Sequence, residues 1–167
     1  MTGTKERLEM GMTGNYIAVD SETIVKIASG ELQLEELDPA EYPSLDIDKS
    51  WQAILYTLCG EVFNGEPPLG YVVPLLEDQT LDFLDYGAFY VKPEQVAAAV
   101  AAISGISEPD MRQLYNFEGM VSEAIYPVVE DEDRDEFFSY MFAHFADLRS
   151  FYETAVTGNQ GIIFWIS

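Results

Sequence analysis

The fold is decided first by residues 46–60, which read DIDKSWQAILYTLCG. Four apolar side chains in this stretch follow the spacing i, i+3, i+4 and i+7 of one helical face: Trp51, Ile54, Leu55 and Leu58. Asp46 or Asp48 can accept hydrogen bonds from the free N–H groups of the first turn. Gly60 is a residue type that commonly ends a helix. The stretch therefore predicts an amphipathic helix with one buried face.

A longer apolar stripe lies in the last third of the chain. Six side chains recur alternately every three and four residues: Phe138, Met141, Phe145, Leu148, Tyr152 and Ala155. The acidic run from Glu130 to Glu136 precedes this stripe, and carboxylates are favourable near the positive N-terminal end of a helix. We predict that this is the longest helix, that Gly158 ends it, and that it packs on the core.

Shorter elements surround these two helices. Capping residues and apolar spacing predict further helices near residues 21–29, 93–103, 107–115 and 120–125. Short strands are predicted at residues 15–19, 88–91 and 162–166, with an extended piece at 71–76 that Pro74 places on an edge or at a bend. Residues 31–45 are predicted to form a short turn and an ordered loop.

The order of these elements favours the α+β class. Helices and strands mix without regular βαβ alternation, so we predict a single compact domain in which several helices pack with a small mixed or antiparallel sheet of short strands. A chain of 167 residues, 48% of them hydrophobic, can bury a sizeable core. Residues 1–9 are polar and precede Met10-Gly11-Met12, so we predict an N-terminal extension over 1–9 and one domain over 10–167.

Charge is the most unusual feature of the composition. Thirty Asp and Glu residues face eight Lys and Arg residues, which gives a formal net charge of -22 distributed over both halves of the chain. Such a surface repels nucleic-acid phosphate and anionic membranes and attracts basic proteins. We predict a basic protein partner and neither nucleic acid nor membrane as a partner. The alternative is that the charge only keeps an aromatic-rich protein soluble.

Sequence motifs of catalysis and of cofactor binding are absent. The chain contains no G-x-S-x-G nucleophile elbow and no glycine-rich phosphate-binding motif, so we predict no cofactor. Cys59 and His144 are the only thiol and the only imidazole, which makes a Cys–His dyad possible. Cys59 ends an apolar helix and His144 lies between two core positions, so we predict packing roles for both and no catalytic residue.

No metal site is predicted either. One histidine and one cysteine exclude the usual zinc ligand sets. Asp131, Asp133 and Asp135 match the first ligands of a calcium-binding EF-hand loop, but the required Gly and Glu are replaced by Glu136 and Phe142. Asp46, Asp48 and Ser50 likewise match only the first ligands of such a loop and lack its Gly and Glu.

The cellular compartment is predicted from three features. A single cysteine allows no internal disulfide, which fits a reducing compartment. The N-terminus lacks the pattern of a secretory signal, and no run of about 18 apolar residues predicts a membrane span. We therefore expect a cytoplasmic protein.

The best candidate for a binding site is the start of the helix at residues 46–60. Asp46, Asp48, Lys49 and Trp51 bring two acids, a cation and an aromatic ring to one turn. A ligand pocket there would contain a perturbed ionisable group. The alternative is structural: the aspartates cap the helix, Lys49 pairs with an acid, and Trp51 anchors the core.

Several motifs together resemble a known family. They are Met10-Gly11-Met12, LDIDKSW at 45–51 followed by Leu58 and Gly60, residues 86–91 and 93–96, and Leu148, Phe151, Tyr152, Ala155 and Gly158 near the end. This set is similar to the YfbM-like family of small bacterial proteins and covers residue 10 to the C-terminus. The resemblance implies a compact α+β bacterial domain of unknown function. Histidines that often flank the family's helix after the tryptophan are replaced here by Gln52 and Leu55.

Two functional hypotheses follow. The first is a non-enzymatic acidic protein that binds a basic protein partner, as immunity proteins and protein inhibitors do. The second is an enzyme or small-ligand-binding domain with a pocket near Asp48, Lys49 and Trp51. A housekeeping domain with a partner specific to the family is a third reading that the sequence does not separate from these.

Overall fold

A computed structural model describes residues 11–167, and the predicted extension over residues 1–9 lies outside this range. Its strands are β1 (Gly14–Val19), β2 (Ser44–Asp46), β3 (Thr80–Leu81), β4 (Ala88–Val91) and β5 (Gly161–Ile166). Its α-helices are α1 (Ser21–Ser29), α2 (Trp51–Cys59), α3 (Pro93–Ile103), α4 (Glu108–Leu114), α5 (Phe117–Ser122) and α6 (Arg134–Thr157). Short 3-10 turns occupy Leu34–Glu36, Pro39–Glu41, Asp48–Ser50 and Leu69–Tyr71.

The five strands form one antiparallel sheet in the order β2-β1-β5-β4-β3. Strands β1 and β5 lie at its centre and pair along their full lengths, from Gly14 opposite Ile166 to Val19 opposite Gly161. Both strands are almost continuously apolar because both faces of the sheet are covered. The α+β architecture predicted from the order of elements is confirmed.

Alternation along β1 divides the apolar side chains between two core layers. Tyr16 and Ala18 face the layer formed by helices α2 to α6, where they pack with Phe164 of β5. Ile17 and Val19 point to the opposite face, which is covered by α1 and by the chain that follows it. The sheet is therefore the middle of three layers, with the larger core on the side of the long helix α6.

Local signals place most of the helix ends where they are observed. The Asp20 carboxylate accepts the Thr23 N–H at 2.7 Å at the start of α1, and Gly30 adopts φ +81° at its end. Asp133 caps α6 by accepting the N–H groups of Asp135 and Glu136, both at 3.0 Å. These carboxylates satisfy backbone donors that have no partner within the helix.

Residues 71–76 differ from the prediction of an extended piece. They follow the turn Leu69–Tyr71 as an irregular segment that pairs with no strand among residues 11–167, although Val72 and Val73 are buried. Instead, the Val72 carbonyl accepts hydrogen bonds from the hydroxyls of Tyr16, at 2.7 Å, and Tyr152, at 3.1 Å. Hydroxyls from the sheet and from α6 thus replace the partners that a neighbouring strand would supply.

Two boundaries also differ from the predictions. The predicted loop over 31–45 contains two 3-10 turns and most of edge strand β2, whose Leu45 lies opposite Tyr16 of β1. The helix expected from Asp46 onward begins at Trp51, after the turn Asp48–Ser50. Val25 of α1 is 64% exposed, although Ile24 and Ile27 of the same helix are buried. Across residues 11–167, no helix combines the length and apolar character needed to cross a membrane.

Candidate functional site

Asp48 lies in the short connection between the edge strand β2 and helix α2. Its backbone adopts φ +53°, a left-handed conformation that Asp and Asn tolerate better than most residues. The Asp46 carboxylate accepts the Asp48 N–H at 2.7 Å, and the buried Ser50 hydroxyl donates to the Ile47 carbonyl at 2.7 Å. Asp46 therefore bonds the first residue of this turn and not a backbone N–H of helix α2.

Tyr140 of α6 ties this connection to the longest helix. Its hydroxyl donates to the Asp48 carboxylate at 2.7 Å and accepts the Lys49 N–H at 2.9 Å. Burial and the hydrogen bond to Asp48 both raise the pKa of Tyr140 well above its usual value. The phenol therefore remains a neutral donor to Asp48.

A cleft of about 370 Å³, here called the Asp48 cleft, opens beside these groups. It is lined by Asp48, Lys49, Pro127, Glu132, Glu136, Phe137 and Tyr140. The lining thus combines three carboxylates with one ammonium group, a proline and two aromatic rings. Asp48 is half-buried, whereas the other described acidic side chains of the protein are exposed. Because the carboxylates outnumber the Lys49 ammonium group, this arrangement favours a cationic ligand that pairs with a carboxylate.

Trp51 does not line the cleft, because its side chain is turned into the core. Its indole is only 5% exposed, and Nε1–H donates to the Met12 carbonyl at 2.9 Å. The ring lies 5.9 Å from that of Tyr126, whose hydroxyl accepts the Met12 N–H at 2.8 Å. Trp51 thus anchors residues 11–12 against α2.

Lys49 is half-buried at the edge of the same cleft. Its aliphatic chain passes over Gly11, so that a Cβ added there would collide with Lys49 Cε and with the Tyr126 hydroxyl. Of the four residues predicted from the sequence, Asp48 and Lys49 line the cleft. Asp46 and Trp51 support it from outside.

The acidic and aromatic wall of the cleft was not assigned to a site from the sequence. Glu132 and Glu136 belong to the acidic run for which the sequence predicts only a helix start. Phe137, Tyr140 and His144 follow each other at helical spacing beside the main apolar stripe of α6, and the rings of Tyr140 and His144 lie 4.8 Å apart. This second, narrower aromatic face of α6 is the sequence feature that could have indicated the cleft.

Cys59 lacks the electrostatic environment of a nucleophile. It is half-buried at the end of α2 and packs against Gly65, where an added Cβ would lie 2.8 Å from the sulfur. Burial, and secondarily the charge of Glu61, raises the pKa of the Cys59 thiol to about 11. The thiol is therefore protonated near neutral pH, which opposes the chemistry of a Cys–His dyad. Within residues 11–167, no three His, Cys, Asp or Glu side chains are arranged to hold a metal ion.

Comparison with known proteins places the chain in a family. The family model described as "Domain of unknown function (DUF1877)" matches residues 10–165. The chain belongs to the DUF1877 family. The DUF1877 fold seen here is similar to the crystal structure of YfbM from Escherichia coli, a protein of unknown function, with a TM-score of 0.72. Sequence identity to YfbM is 19%, and the alignment covers 93% of this DUF1877 chain and 99% of YfbM.

The YfbM-like resemblance inferred from the motifs is thereby confirmed, as is the fold that it implied. No curated protein matches the chain. At 19% identity, the similarity to YfbM concerns the fold of this DUF1877 protein and not the chemistry of its clefts.

Proposed function

We propose that this DUF1877 protein is a non-enzymatic binding protein whose acidic surface engages a basic protein partner, in the manner of an immunity protein or an inhibitor. The observation that carries the proposal is the exposure of its acids. Every described Asp and Glu side chain is exposed except Asp48, which is half-buried. Interfaces between surfaces of opposite charge gain association rate and specificity from such a field.

The few basic residues leave most of this charge uncompensated. Three ion pairs join described residues: Lys26 with Glu22, Arg112 with Asp135, and Arg134 with Glu118. All three lie at the surface, where such pairs contribute little to stability. Most of the carboxylates therefore contribute to a negative field that a basic partner can neutralise.

The Asp48 cleft supports a specific point of contact. A Lys or Arg side chain of the partner entering it would lie between Asp48, Glu132 and Glu136 and against the rings of Phe137 and Tyr140. A guanidinium can bind a carboxylate through two hydrogen bonds and stack on an aromatic ring at the same time. The cleft would thus read one basic side chain within a broader electrostatic contact.

The test is binding at two salt concentrations with matched charge variants. The wild-type protein is used at low salt to isolate a partner from its host, and the purified pair is measured by calorimetry. We expect a stoichiometric complex with a basic protein whose affinity falls at least about 10-fold between about 50 and 300 mM salt.

The triple variant Asp48→Asn/Glu132→Gln/Glu136→Gln should weaken this complex much more than Glu123→Gln/Asp147→Asn/Glu153→Gln, which changes the net charge equally elsewhere. Asn at position 48 can retain both the left-handed backbone and the bond from Tyr140. Failure to recover any stoichiometric basic partner at low salt would contradict the proposal. Equal losses of affinity in the two variants would support a general electrostatic contact and contradict a specific role of the cleft.

A second candidate function is a small-ligand or enzymatic pocket at the same place. It is favoured by the juxtaposition of Asp48, Lys49 and the neutral Tyr140 hydroxyl in one cleft, although Trp51 is not part of it. Small amines and guanidines are the probes to use, with chemical shifts of Asp48 and Tyr140 as the readout. Chemical-shift changes that saturate with added probe in the wild-type protein, and that are absent in Asp48→Asn, would favour this function over protein binding.

We place this function in the bacterial cytoplasm. The support is the single cysteine, Cys59, which rules out an internal disulfide and remains a protonated thiol near neutral pH. Fractionation of host cells tests the location, and recovery of the protein outside the cytoplasm would contradict it.

A further inference from the structure

A second concave surface lies on the face of the sheet opposite the long helices. It has a volume of about 270 Å³ and is lined by Ile17, Leu34, Glu35, Leu37, Pro39, Phe83 and Trp165. We call it the outer groove. Its lining is almost entirely apolar, and none of its residues belongs to the Asp48 cleft. Apolar concavities with a polar rim are the usual form of peptide-binding and ligand-binding sites.

Contacts within the chain fix the walls of the outer groove. On one side, the Gln33 N–H donates to Glu36 at 2.7 Å, and the Ala40 N–H donates to Asp38 at 3.0 Å, which fixes the two 3-10 turns. On the other side, Phe83 packs edge-on against Trp165 with 5.9 Å between ring centroids. A preformed groove reduces the entropy cost of binding.

Glu35 lines the groove, and the segments that form its walls carry further acids and no base. Residues 31–48 include no Lys or Arg, and neither do residues 50–91. The acids of these walls are Glu31, Glu35, Glu36, Asp38, Glu41, Asp82 and Asp85. The loop that carries Phe83 also presents Leu84 and Tyr86, which are 65% and 54% exposed. Apolar and negative surfaces therefore adjoin each other here.

We propose that the outer groove is the docking site for a segment of the basic partner in which one apolar side chain is flanked by Lys or Arg residues. The apolar side chain enters between Leu37, Phe83 and Trp165, and the flanking cations meet the acidic rim. This inference rests on the proposed function and states where and by what chemistry the partner is recognised.

Charge complementarity selects this occupant over a second copy of the chain. A second copy would bring a net charge of -22 and the same acidic rim to the interface. Like charges brought together across an interface cost free energy, whereas Lys and Arg residues gain it. A neutral apolar segment would fill the groove but leave the rim unused.

The test uses two capped peptides, Lys-Lys-Leu-Lys-Lys and Lys-Lys-Ser-Lys-Lys, with the whole isotope-labelled protein. Binding is followed by the two tryptophan indole N–H signals, which the variant Trp165→Phe assigns. We expect the leucine peptide to bind about 10-fold more tightly than the serine peptide, because only leucine buries apolar surface in the groove. The Trp165 signal should shift, whereas that of the buried Trp51 should not.

Two variants of equal charge separate the groove from the general field. The rim variant is Glu35→Gln/Asp82→Asn/Asp85→Asn, which spares the capping acids Glu36 and Asp38. The control variant is again Glu123→Gln/Asp147→Asn/Glu153→Gln. We expect the rim variant to weaken the leucine peptide about 10-fold and the control variant to change its affinity by less than about twofold.

Each contrary result has a distinct meaning. Equal losses in both variants, or equal affinities for the two peptides, would overturn the groove as a docking site while leaving the acidic binding protein in place. Absence of any Trp165 shift at low salt would do the same. Concentration-dependent dimerisation that is lost in Leu37→Asp would show that a second copy is the occupant, and would also overturn the inference.

Discussion

Asp48 combines a left-handed backbone with a carboxylate that is half-buried, in contrast to the other described acids of the protein. A non-glycine residue with positive φ persists when its surroundings determine it, and here the determinants are Asp46 and Tyr140. The Tyr140 hydroxyl satisfies the Asp48 carboxylate and the Lys49 N–H together. This single side chain therefore orients the charged wall of the Asp48 cleft.

Replacement of Tyr140 by Phe should show this dependence. We expect Tyr140→Phe to lower the free energy of unfolding by about 1–3 kcal/mol, because hydrogen bonds to charged groups are worth more than neutral ones. The measurement is urea denaturation, with Tyr86→Phe as the control because Tyr86 is 54% exposed. Equal stability of the two variants would mean that the Tyr140 hydroxyl does not hold the turn.

Cys59 provides a test of burial at the end of α2. Its pKa is about 11 in the folded protein, compared with an ordinary value of 9.0. The folded state therefore keeps a proton that the unfolded chain loses, so this contribution to stability is complete below pH 9 and declines as the pH rises towards 11. Alkylation of the folded protein should accelerate with a midpoint near pH 11. A midpoint near 9 would show that the thiol is not desolvated.

At the scale of elements, the irregular segment after Leu69–Tyr71 is held by hydroxyl groups rather than by a strand. Tyr16 of β1 donates to the Val72 carbonyl at 2.7 Å. The single hydroxyl proton of Tyr152 of α6 is shared between the Tyr71 carbonyl, at 2.6 Å, and the Val72 carbonyl, at 3.1 Å. Both phenols are buried, which raises their pKa values well above the ordinary value. They therefore remain protonated donors and join the sheet, the segment and the long helix.

These two tyrosines should be energetically coupled. We expect Tyr16→Phe and Tyr152→Phe each to cost about 1 kcal/mol, and the double variant to cost more than their sum, because only the double variant leaves the buried Val72 carbonyl without a donor. A double-mutant cycle measured by denaturation gives the coupling free energy. Additive losses would show that another group takes over as donor.

The start of α6 depends on a single capping residue. Asp133 accepts two backbone N–H groups of the first turn, so Asp133→Ala should destabilise the protein by about 1 kcal/mol. Asp131→Ala removes the same charge from the same acidic run and serves as the control. Thermal unfolding should show a lower melting temperature for Asp133→Ala than for Asp131→Ala. Equal melting temperatures would mean that these acids act through general charge repulsion and not through capping.

For the whole molecule, the net charge of -22 opposes the compact state through self-repulsion. Raising the salt concentration screens this repulsion, so the melting temperature should rise between about 0.05 and 0.5 M NaCl. The variant Glu123→Lys/Asp147→Lys/Glu153→Lys carries less net charge and should gain less from salt. An equal rise in melting temperature in both proteins would mean that salt acts through the solvent and not by screening the charge of the protein.

Much of the fold was predictable because its signals are local. The apolar stripes of α2 and α6, the caps Asp20 and Asp133, and the apolar run of β5 each lie within one segment of the chain. Periodicity and capping act through neighbouring residues, so they can be detected in the sequence without knowledge of the fold. The prediction of an extended piece at 71–76 was wrong. The hydroxyls that bind its backbone belong to Tyr16 and Tyr152, which are distant in the chain.

The sequence alone determined the class of the fold, most of the helices, the family and the acidic character of the surface. Only the tertiary structure decided the strand order, the pairing of Tyr140 with Asp48 across 92 positions, and the meeting of Leu37, Phe83 and Trp165 in one groove. The physical reason is range. Charge and helical periodicity are carried by each segment separately, whereas a cleft exists only after distant segments have been packed against one another.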